Sequence, residues 1–235
     1  MELREVIRGR RMVRRFDPDR PVADRVVWEC VAHATRAPSA GFTQGWDFVV
    51  LTDSADRSGF WSAASATVIA AEPQPSGSTS PWAPPGNPAP ATATPWLAGV
   101  AAAPVLIVCC SHPDAYLDRY AEPDKGWVDR DPARWPIPYW DVDTGMAALL
   151  ALLTATDRGL GGLFFGVPAT RHDAVRAALE IPADRRLVGV VAIGYALPGP
   201  SSPSLRRGRR GPDRVAHSGR FGRPLTAPEP PAAPA

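Results

Sequence analysis

The chain has 235 residues, 45% of them hydrophobic, and a formal net charge of only +2. That length and composition suit one domain with a substantial core, while so small a charge gives no reason to expect a nucleic-acid or membrane partner. The three cysteines lack the spacing of a metal or redox site, and no apolar run is long enough to span a membrane. The N-terminus has no secretory signal pattern, so we expect a cytoplasmic protein.

The residue pattern predicts helices and strands separated by long connections, which favours an α+β sandwich. The longest apolar helix precedes the glycines at 159–162, and residues 111–140 are predicted to be irregular. In chain order, the predicted elements are a helix over 2–9, a helix over 22–36, the strand WDFVVLTD, the buried strand AAPVLIVCC, the central helix in TGMAALLALLTATDRGLGG, a segment at FFGV, a helix around 171–179 and the strand LVGVVAIGYA.

Two proline-rich stretches interrupt this pattern. Residues 72–95 support neither a helical nor a strand period, and we interpret them as a long loop that is either disordered or a cover over a site. After Pro198 the chain becomes rich in proline, glycine and arginine. We therefore predict a domain over 1–200 with the 72–95 loop inserted, followed by a C-terminal arm and flexible tail over 201–235.

The segment GRRMVRRFDPDRP, at 9–21, concentrates arginines before the second helix. In an extended chain successive side chains point to opposite faces. One face then carries Arg10, Met12 and Arg14, and the other carries Arg11, Val13 and Arg15. Two guanidinium groups on one face, about 7 Å apart per two-residue step, can bind a phosphate from two sides.

Arg207 and Arg209 repeat the two-residue spacing in a segment that we expect to be extended. Two such arginine pairs are what a phosphate pocket needs. Spacing alone leaves a second interpretation open, in which both segments are solvated basic surface in an arginine-rich protein.

A series of motifs resembles, in the same order, the motifs of the nitroreductase-like flavoproteins. The matching segments are RRMVRRF at 10–16, PV at 21–22, APSAGFTQGW at 37–46, GLGG at 159–162, IGY at 193–195 and RRGPDRVAH at 209–217. The resemblance implies an α+β fold with a mixed central sheet flanked by helices, and a homodimer with an exchanged C-terminal arm and active sites at the interface. It also implies an FMN-dependent oxidoreductase that passes hydride from NADH or NADPH through the flavin to a small planar acceptor, such as a nitroaromatic, a quinone or an enone.

The resemblance further implies which residues bind the cofactor. These are Arg10, Arg11, Met12, Arg14, Pro38, Ser39, Ala40, Gln44, Gly161, Gly162, Arg207 and Arg209. Four of the arginines are expected at the phosphate, namely Arg10, Arg14, Arg207 and Arg209. The Pro38-Ser39 step is expected at the flavin ring from the partner subunit, and the loop containing the two glycines at the reactive N5 edge, where a side chain would block the backbone. Since the flavin carries the chemistry, no catalytic side chain and no metal are expected.

Four aromatic residues are candidates for the substrate pocket, namely Phe42, Trp135, Tyr139 and Trp140. Packing of an irregular segment against the core explains the last three equally well. Asp141 and Asp143 open the central helix, where capping or the helix dipole accounts for them.

The chain departs from the motifs at three positions: Met12 replaces a serine, Phe42 an asparagine and Gly45 a proline. Three alternatives on the same fold therefore stay open. They are a deazaflavin-dependent enzyme, a dedicated biosynthetic dehydrogenase and a non-catalytic flavin-binding protein. A nucleic-acid binder using both arginine segments gains no support from the motifs.

Overall fold

The computed structural model describes residues 1–65, 95–199 and 202–226. The chain divides into two units, Met1–Pro198 and Gly199–Ala235, and the sheet lies in the first. The 72–95 loop of the sequence prediction lies outside the described residues except for Pro95, which begins a helix. No helix in the described ranges has the length and apolar character that a membrane span requires.

The described residues of the first unit, 1–65 and 95–198, form seven α-helices. They are α1 (Leu3–Gly9), α2 (Asp24–Ala34), α3 (Ser54–Ser65), α4 (Pro95–Ala101), α5 (Pro113–Ala121), α6 (Tyr139–Asp157) and α7 (His172–Ala178). The predicted helices at 2–9, 22–36 and 171–179 correspond to α1, α2 and α7. The prediction that 111–140 is irregular is wrong over α5, which starts at Pro113, a residue suited to the first helical position.

Four strands form one sheet in the order β1-β2-β4-β3. Their bounds are β1 (Trp46–Leu51), β2 (Val105–Ser111), β3 (Gly161–Phe165) and β4 (Arg186–Gly194). All three strand pairs are antiparallel. A parallel pairing enters at the edge, where Met12 bridges to Gly162 of β3. The predicted α+β class is confirmed, and helices lie on both faces of the sheet.

The central strand β2 shows why both faces are covered. All seven of its residues are buried, as expected for a short, uninterrupted apolar strand. Val105, Ile107 and Cys109 face a core cluster that includes α2 and α6. The alternate residues face a second cluster that includes Phe60 of α3 and Val175 of α7. The predicted central helix is therefore α6, and it packs directly beneath the sheet.

The three cysteines are unpaired and buried. Burial, the largest cause, raises the pKa of each thiol to about 12. The interpretation of these residues as small hydrophobic side chains is confirmed.

The second unit has little regular structure in its described part, 199 and 202–226. A 3₁₀ turn covers Pro203–Arg207, a short helix α8 covers Pro212–Val215, and His217 forms an isolated bridge with Pro224.

Candidate flavin site

The arginine segment lies against the glycine pair, almost 150 residues further along the chain. Helix α1 ends at Gly9, and the backbone N–H of Arg10 donates to the Val6 carbonyl at 2.9 Å. Two residues later Met12 bridges to Gly162, and the Val13 N–H donates to the Gly162 carbonyl at 2.9 Å. The fold thus brings together two motifs that the sequence could only connect by resemblance.

Gly161 and Gly162 are the first two residues of β3 and are buried, so the expectation that they lie in a loop is wrong. A Cβ atom at Gly161 would lie 2.7 Å from Val13 Cγ2, and one at Gly162 would lie 2.6 Å from Leu152 Cδ2. Both distances are far inside van der Waals contact. Packing within this chain therefore accounts for the glycines, whether or not a ring approaches them.

The guanidinium groups of this segment form no ion pair with any carboxylate in the described residues. Nη1 of Arg10 is buried and has no hydrogen-bond partner there. Arg14 is exposed, and its Nη1 makes only a long contact, 3.4 Å, with the Met12 carbonyl. Arg11 is exposed, and so is Arg15, whose Nη1 donates to the Pro198 carbonyl at 3.0 Å. A buried donor without a partner is costly, so the end of the Arg10 side chain is suited to an anion.

The strict alternation predicted for the segment does not continue to its end. Val13 and Phe16 both pack into the core cluster that contains α3 and α7. Side chains three positions apart cannot share one face of a regular strand. The chain therefore turns between these two residues, and Arg14 and Arg15 lie in that turning stretch rather than on a flat ribbon.

The segment 37–46 forms a compact loop with an unusual backbone. Gly41, Phe42 and Gln44 have φ values of +63°, +55° and +54°, in the left-handed region that side-chain-bearing residues rarely adopt. The Gln44 N–H donates to Ser39 Oγ at 2.9 Å, and Thr43 Oγ1 donates to the Ala40 carbonyl at 2.6 Å. Local hydrogen bonds thus close the loop on itself.

Two helices hold this loop from behind. The Ala40 N–H and the Tyr116 hydroxyl both donate to Oδ2 of Asp143, each at 2.8 Å. Arg119 Nε donates to the Gly41 carbonyl at 3.0 Å. Burial of the Tyr116 ring, reinforced by its hydrogen bond to Asp143, raises the pKa of that phenol well above its usual value. The phenol is therefore a hydrogen-bond donor throughout the neutral pH range.

On its exposed side the loop presents its other predicted site residues. Pro38 and Gln44 are exposed, Ser39 and Ala40 are half-buried, and Phe42 is 77% exposed. Among the described hydrogen bonds, none joins this loop to the arginine segment. The two parts of the predicted site are therefore not connected by hydrogen bonds within the chain.

The remaining pocket candidates belong to an aromatic cluster on α5, α6 and the connection between them. Trp135 lies at its centre, with ring centroids 4.7–6.0 Å from those of Tyr116, Tyr120, Trp127, Tyr139 and Trp140. The indole nitrogens of Trp135 and Trp140 are buried, whereas Tyr139 is 41% exposed. These contacts match the packing interpretation, and Phe42 is the most exposed of the four pocket candidates.

A model of the nitroreductase family matches residues 7–195, which include the arginine segment, the 37–46 loop and the glycine pair. The chain belongs to the nitroreductase family. Membership supports an oxidoreductase activity and agrees with the resemblance that the motifs suggested.

Solved structures share the nitroreductase fold with this chain at low sequence identity. Nitroreductase A from Vibrio parahaemolyticus is 19% identical, with a TM-score of 0.63, over 93% of this chain and 76% of that one. A nitroreductase family protein from Clostridium difficile is 18% identical, with a TM-score of 0.58, over 90% and 94%. Another, from Clostridium novyi, is 18% identical, with a TM-score of 0.57, over 96% and 97%.

The C-terminal motif of this nitroreductase family member is not an extended strand. Arg207 ends the 3₁₀ turn, and Gly208 adopts a left-handed φ of +65° before Arg209. The predicted alternation of these two arginines along a straight arm is therefore wrong. Both side chains are exposed, and neither forms an ion pair with a carboxylate in the described residues.

Sequence reasoning missed the role of the two aspartates in α6. Neither caps the helix, whose N-cap is Pro138. Asp141 accepts hydrogen bonds from Ser111 Oγ at 2.6 Å and from Arg186 Nη2 at 3.0 Å, and so fastens α6 to the sheet. Asp143 holds the 37–46 loop. The available signal was an acidic residue on the buried side of an otherwise apolar helix, where a carboxylate needs partners.

Proposed function

We propose that this nitroreductase family member is an FMN-dependent oxidoreductase that transfers hydride from NADH or NADPH to a small planar acceptor. The observation that carries the proposal is the buried Nη1 of Arg10, which has no hydrogen-bond partner among the described residues and belongs to the segment whose Met12 bridges to Gly162. An anionic group placed there satisfies a donor that the described protein atoms leave unpaired. The phosphate of FMN is such a group, so the residues present fit this cofactor.

In this proposal Arg10 and Arg14 bind the phosphate, and Arg207 and Arg209 complete its site from the arm. The Met12–Gly162 bridge fixes the backbone that carries the first pair. Met12 has no hydroxyl group to donate to the phosphate. Phosphate binding therefore depends more on the guanidinium groups here than in a protein with serine at this position. The remaining residues proposed to contact the cofactor are Arg11, Pro38, Ser39, Ala40, Gln44, Gly161 and Gly162.

FMN, when bound, supplies the redox chemistry by carrying hydride from the nicotinamide to the acceptor. The protein's own task is to bind and orient. The 37–46 loop offers Phe42, whose exposed ring suits stacking on a planar acceptor. No described side chain needs to act as an acid or a base, and the proposal requires no metal.

We further propose that the active unit is a homodimer with its sites at the interface. Helices α1 and α2 both pack on α6, and the three helices expose large apolar side chains, including Ile7, Trp28 and Leu149. Exposed apolar surface of this kind is typical of a protein interface. A dimer also explains how the 37–46 loop of one subunit and the arginine segment of the other can form one site, since no described hydrogen bond links them within a chain.

Titration of the flavin-free protein with FMN, followed by quenching of flavin fluorescence, tests the proposal. Wild type should bind FMN, and Arg10→Ala and Arg14→Ala should each weaken binding about 10- to 100-fold, because a hydrogen bond to a charged group contributes about 1.5–3 kcal/mol. Arg15→Ala is the matched control, since its guanidinium binds the Pro198 carbonyl. Equal losses in all three variants, or no FMN binding by wild type, would contradict the proposal.

A further inference from the structure

Asp143 is only 2% exposed, although it lies in the long, largely apolar helix α6. Removing a carboxylate from water is costly unless it is hydrogen-bonded. Here one oxygen, Oδ2, accepts from both the Ala40 N–H and the Tyr116 hydroxyl at 2.8 Å. Neither donor belongs to α6 itself, so the contacts serve to attach other segments to this helix.

We propose that Asp143, together with Tyr116, is a positioning residue that fixes the 37–46 loop for flavin and acceptor. This inference rests on the proposed function, because it concerns the loop expected to lie against the flavin ring. Asp143 touches neither flavin nor acceptor in this account. It acts through the backbone of Ala40, which adjoins the Pro38-Ser39 step.

The backbone of the loop explains why such a restraint is needed. Phe42 and Gln44 both adopt left-handed conformations, and each costs a residue with a side chain about 1–2 kcal/mol. A free loop would relax out of them. Asp143 holds the N–H of Ala40 and Arg119 holds the carbonyl of Gly41, so both ends of this two-residue step are fixed just before the strained residues.

Gly45 of the loop lies against Tyr116, one of the two donors to Asp143. A Cβ atom at position 45 would lie 2.5 Å from Cε2 of the Tyr116 ring. Glycine at this position therefore leaves room for the ring that delivers the hydroxyl to Asp143. The replacement of the proline of the motif by Gly45 and the presence of Tyr116 are thus two parts of one arrangement.

The test compares Asp143→Leu, Asp143→Asn and Tyr116→Phe with Asp141→Leu. Leucine has the same number of side-chain heavy atoms as aspartate but cannot accept a hydrogen bond, so it removes both hydrogen bonds. Asparagine can place its carbonyl oxygen at the Oδ2 position and accept both donors, so it should restore the wild-type behaviour. Asp141→Leu is the matched control, since it removes a carboxylate two residues away that binds Ser111 and Arg186 rather than the loop.

The first measurement is amide hydrogen exchange of the peptide covering 38–46 in flavin-free protein. We expect exchange about tenfold faster in Asp143→Leu, the factor that corresponds to roughly one lost hydrogen bond, and a smaller increase in Tyr116→Phe. Asp143→Asn and Asp141→Leu should match wild type in this peptide. Unchanged exchange in Asp143→Leu, or an equal increase in Asp141→Leu, would overturn the inference.

The second measurement is the visible absorption spectrum of the same variants reconstituted with FMN. A shifted flavin band and a raised KM for the acceptor are expected in Asp143→Leu and not in Asp141→Leu. Faster loop exchange with an unchanged spectrum and KM would overturn the positioning role. Failure of the wild-type protein to bind FMN would instead overturn the proposed function, and it is distinguishable because the exchange experiment uses no flavin.

Discussion

The contact between Gly161 and Val13 provides a quantitative test of how the arginine segment is held. In Gly161→Ala the new methyl group would lie 2.7, 3.0 and 3.1 Å from three atoms of the Val13 side chain. Overpacking of this kind typically costs about 1–3 kcal/mol, and the lower entropy of alanine in the unfolded chain recovers roughly 0.5 kcal/mol. We expect a net loss of about 1–2 kcal/mol.

Val13→Ala should cost about 1 kcal/mol, because two methyl groups leave a partly buried site. In the double variant the alanine methyl at 161 takes the space that the valine methyls leave. The double variant should therefore be about 1–2 kcal/mol more stable than the sum of the single changes predicts, since residues in contact are not additive.

Urea unfolding at fixed protein concentration, followed by the fluorescence of the eight tryptophans, measures all the variants of this cycle. Gly162→Ala is the control, because its new methyl group would meet Cδ2 of Leu152 rather than Val13. It should show no coupling to Val13→Ala. Additivity of Gly161→Ala and Val13→Ala within about 0.5 kcal/mol would refute the packing argument.

Three further predictions concern the cysteines and the apolar helix surface. Burial raises the pKa of each cysteine thiol to about 12. Iodoacetamide at pH 8 should therefore leave Cys30, Cys109 and Cys110 unmodified in the folded protein and alkylate them on unfolding. Rapid labelling of the native protein would contradict this. The folded pKa of each thiol lies above the ordinary value of 9, so the unfolded chain loses these protons first. The free energy of unfolding, measured with urea, should therefore fall from pH 9 towards pH 12 by about 1.4 kcal/mol per pH unit for each titrating thiol, and a flat profile would refute the assignment. Leu149→Glu should shift the proposed dimer to monomer on a sizing column. Val128→Glu, at another exposed apolar residue, should leave the elution volume unchanged. Equal effects of the two variants would argue against an interface at α6.

Local patterns were sufficient to predict most of the sheet and its main helices. Strand β2 was recognisable because it is short, apolar as far as Cys110 and bounded in the sequence by Pro104 and Ser111; the structure includes Ser111 as its last residue. Helix α6 was recognisable from its length and its glycine stop, where Gly159 adopts a φ of +74°. In both cases the pattern that predicts the element lies within a single segment, so the element can be predicted without knowing which distant residues it contacts.

The elements that were missed have weaker local signals. Helix α3 has only a weak amphipathic pattern, and its clearest mark is Asp53, which accepts a hydrogen bond from the Ala55 N–H at 2.7 Å at the start of the helix. Helix α5 lies among prolines and aromatic residues that suggest irregular structure. Its stability depends on Tyr116 packing against Trp135 and Trp140, a tertiary effect that periodicity does not record.

For the candidate site, sequence reasoning identified the motifs but not the contacts that shape them. Gly161 was explained by an approaching ring, whereas the structure shows Val13 in the space that a side chain would need. Asp143 was explained by helix capping, whereas it binds Ala40 and Tyr116 across long sequence separations. Contacts of this kind depend on tertiary geometry, which a single sequence does not reveal.

Reduction of the bound cofactor tests the central proposal most directly. The FMN-reconstituted protein is mixed anaerobically with excess NADH and, separately, NADPH, and the visible flavin absorbance is followed in a stopped-flow instrument. At least one nucleotide should bleach the flavin within seconds, and a quinone or nitroaromatic should then restore the absorbance. Bound flavin that stays oxidised with both nucleotides would contradict an oxidoreductase of this kind and indicate a flavin-binding protein instead.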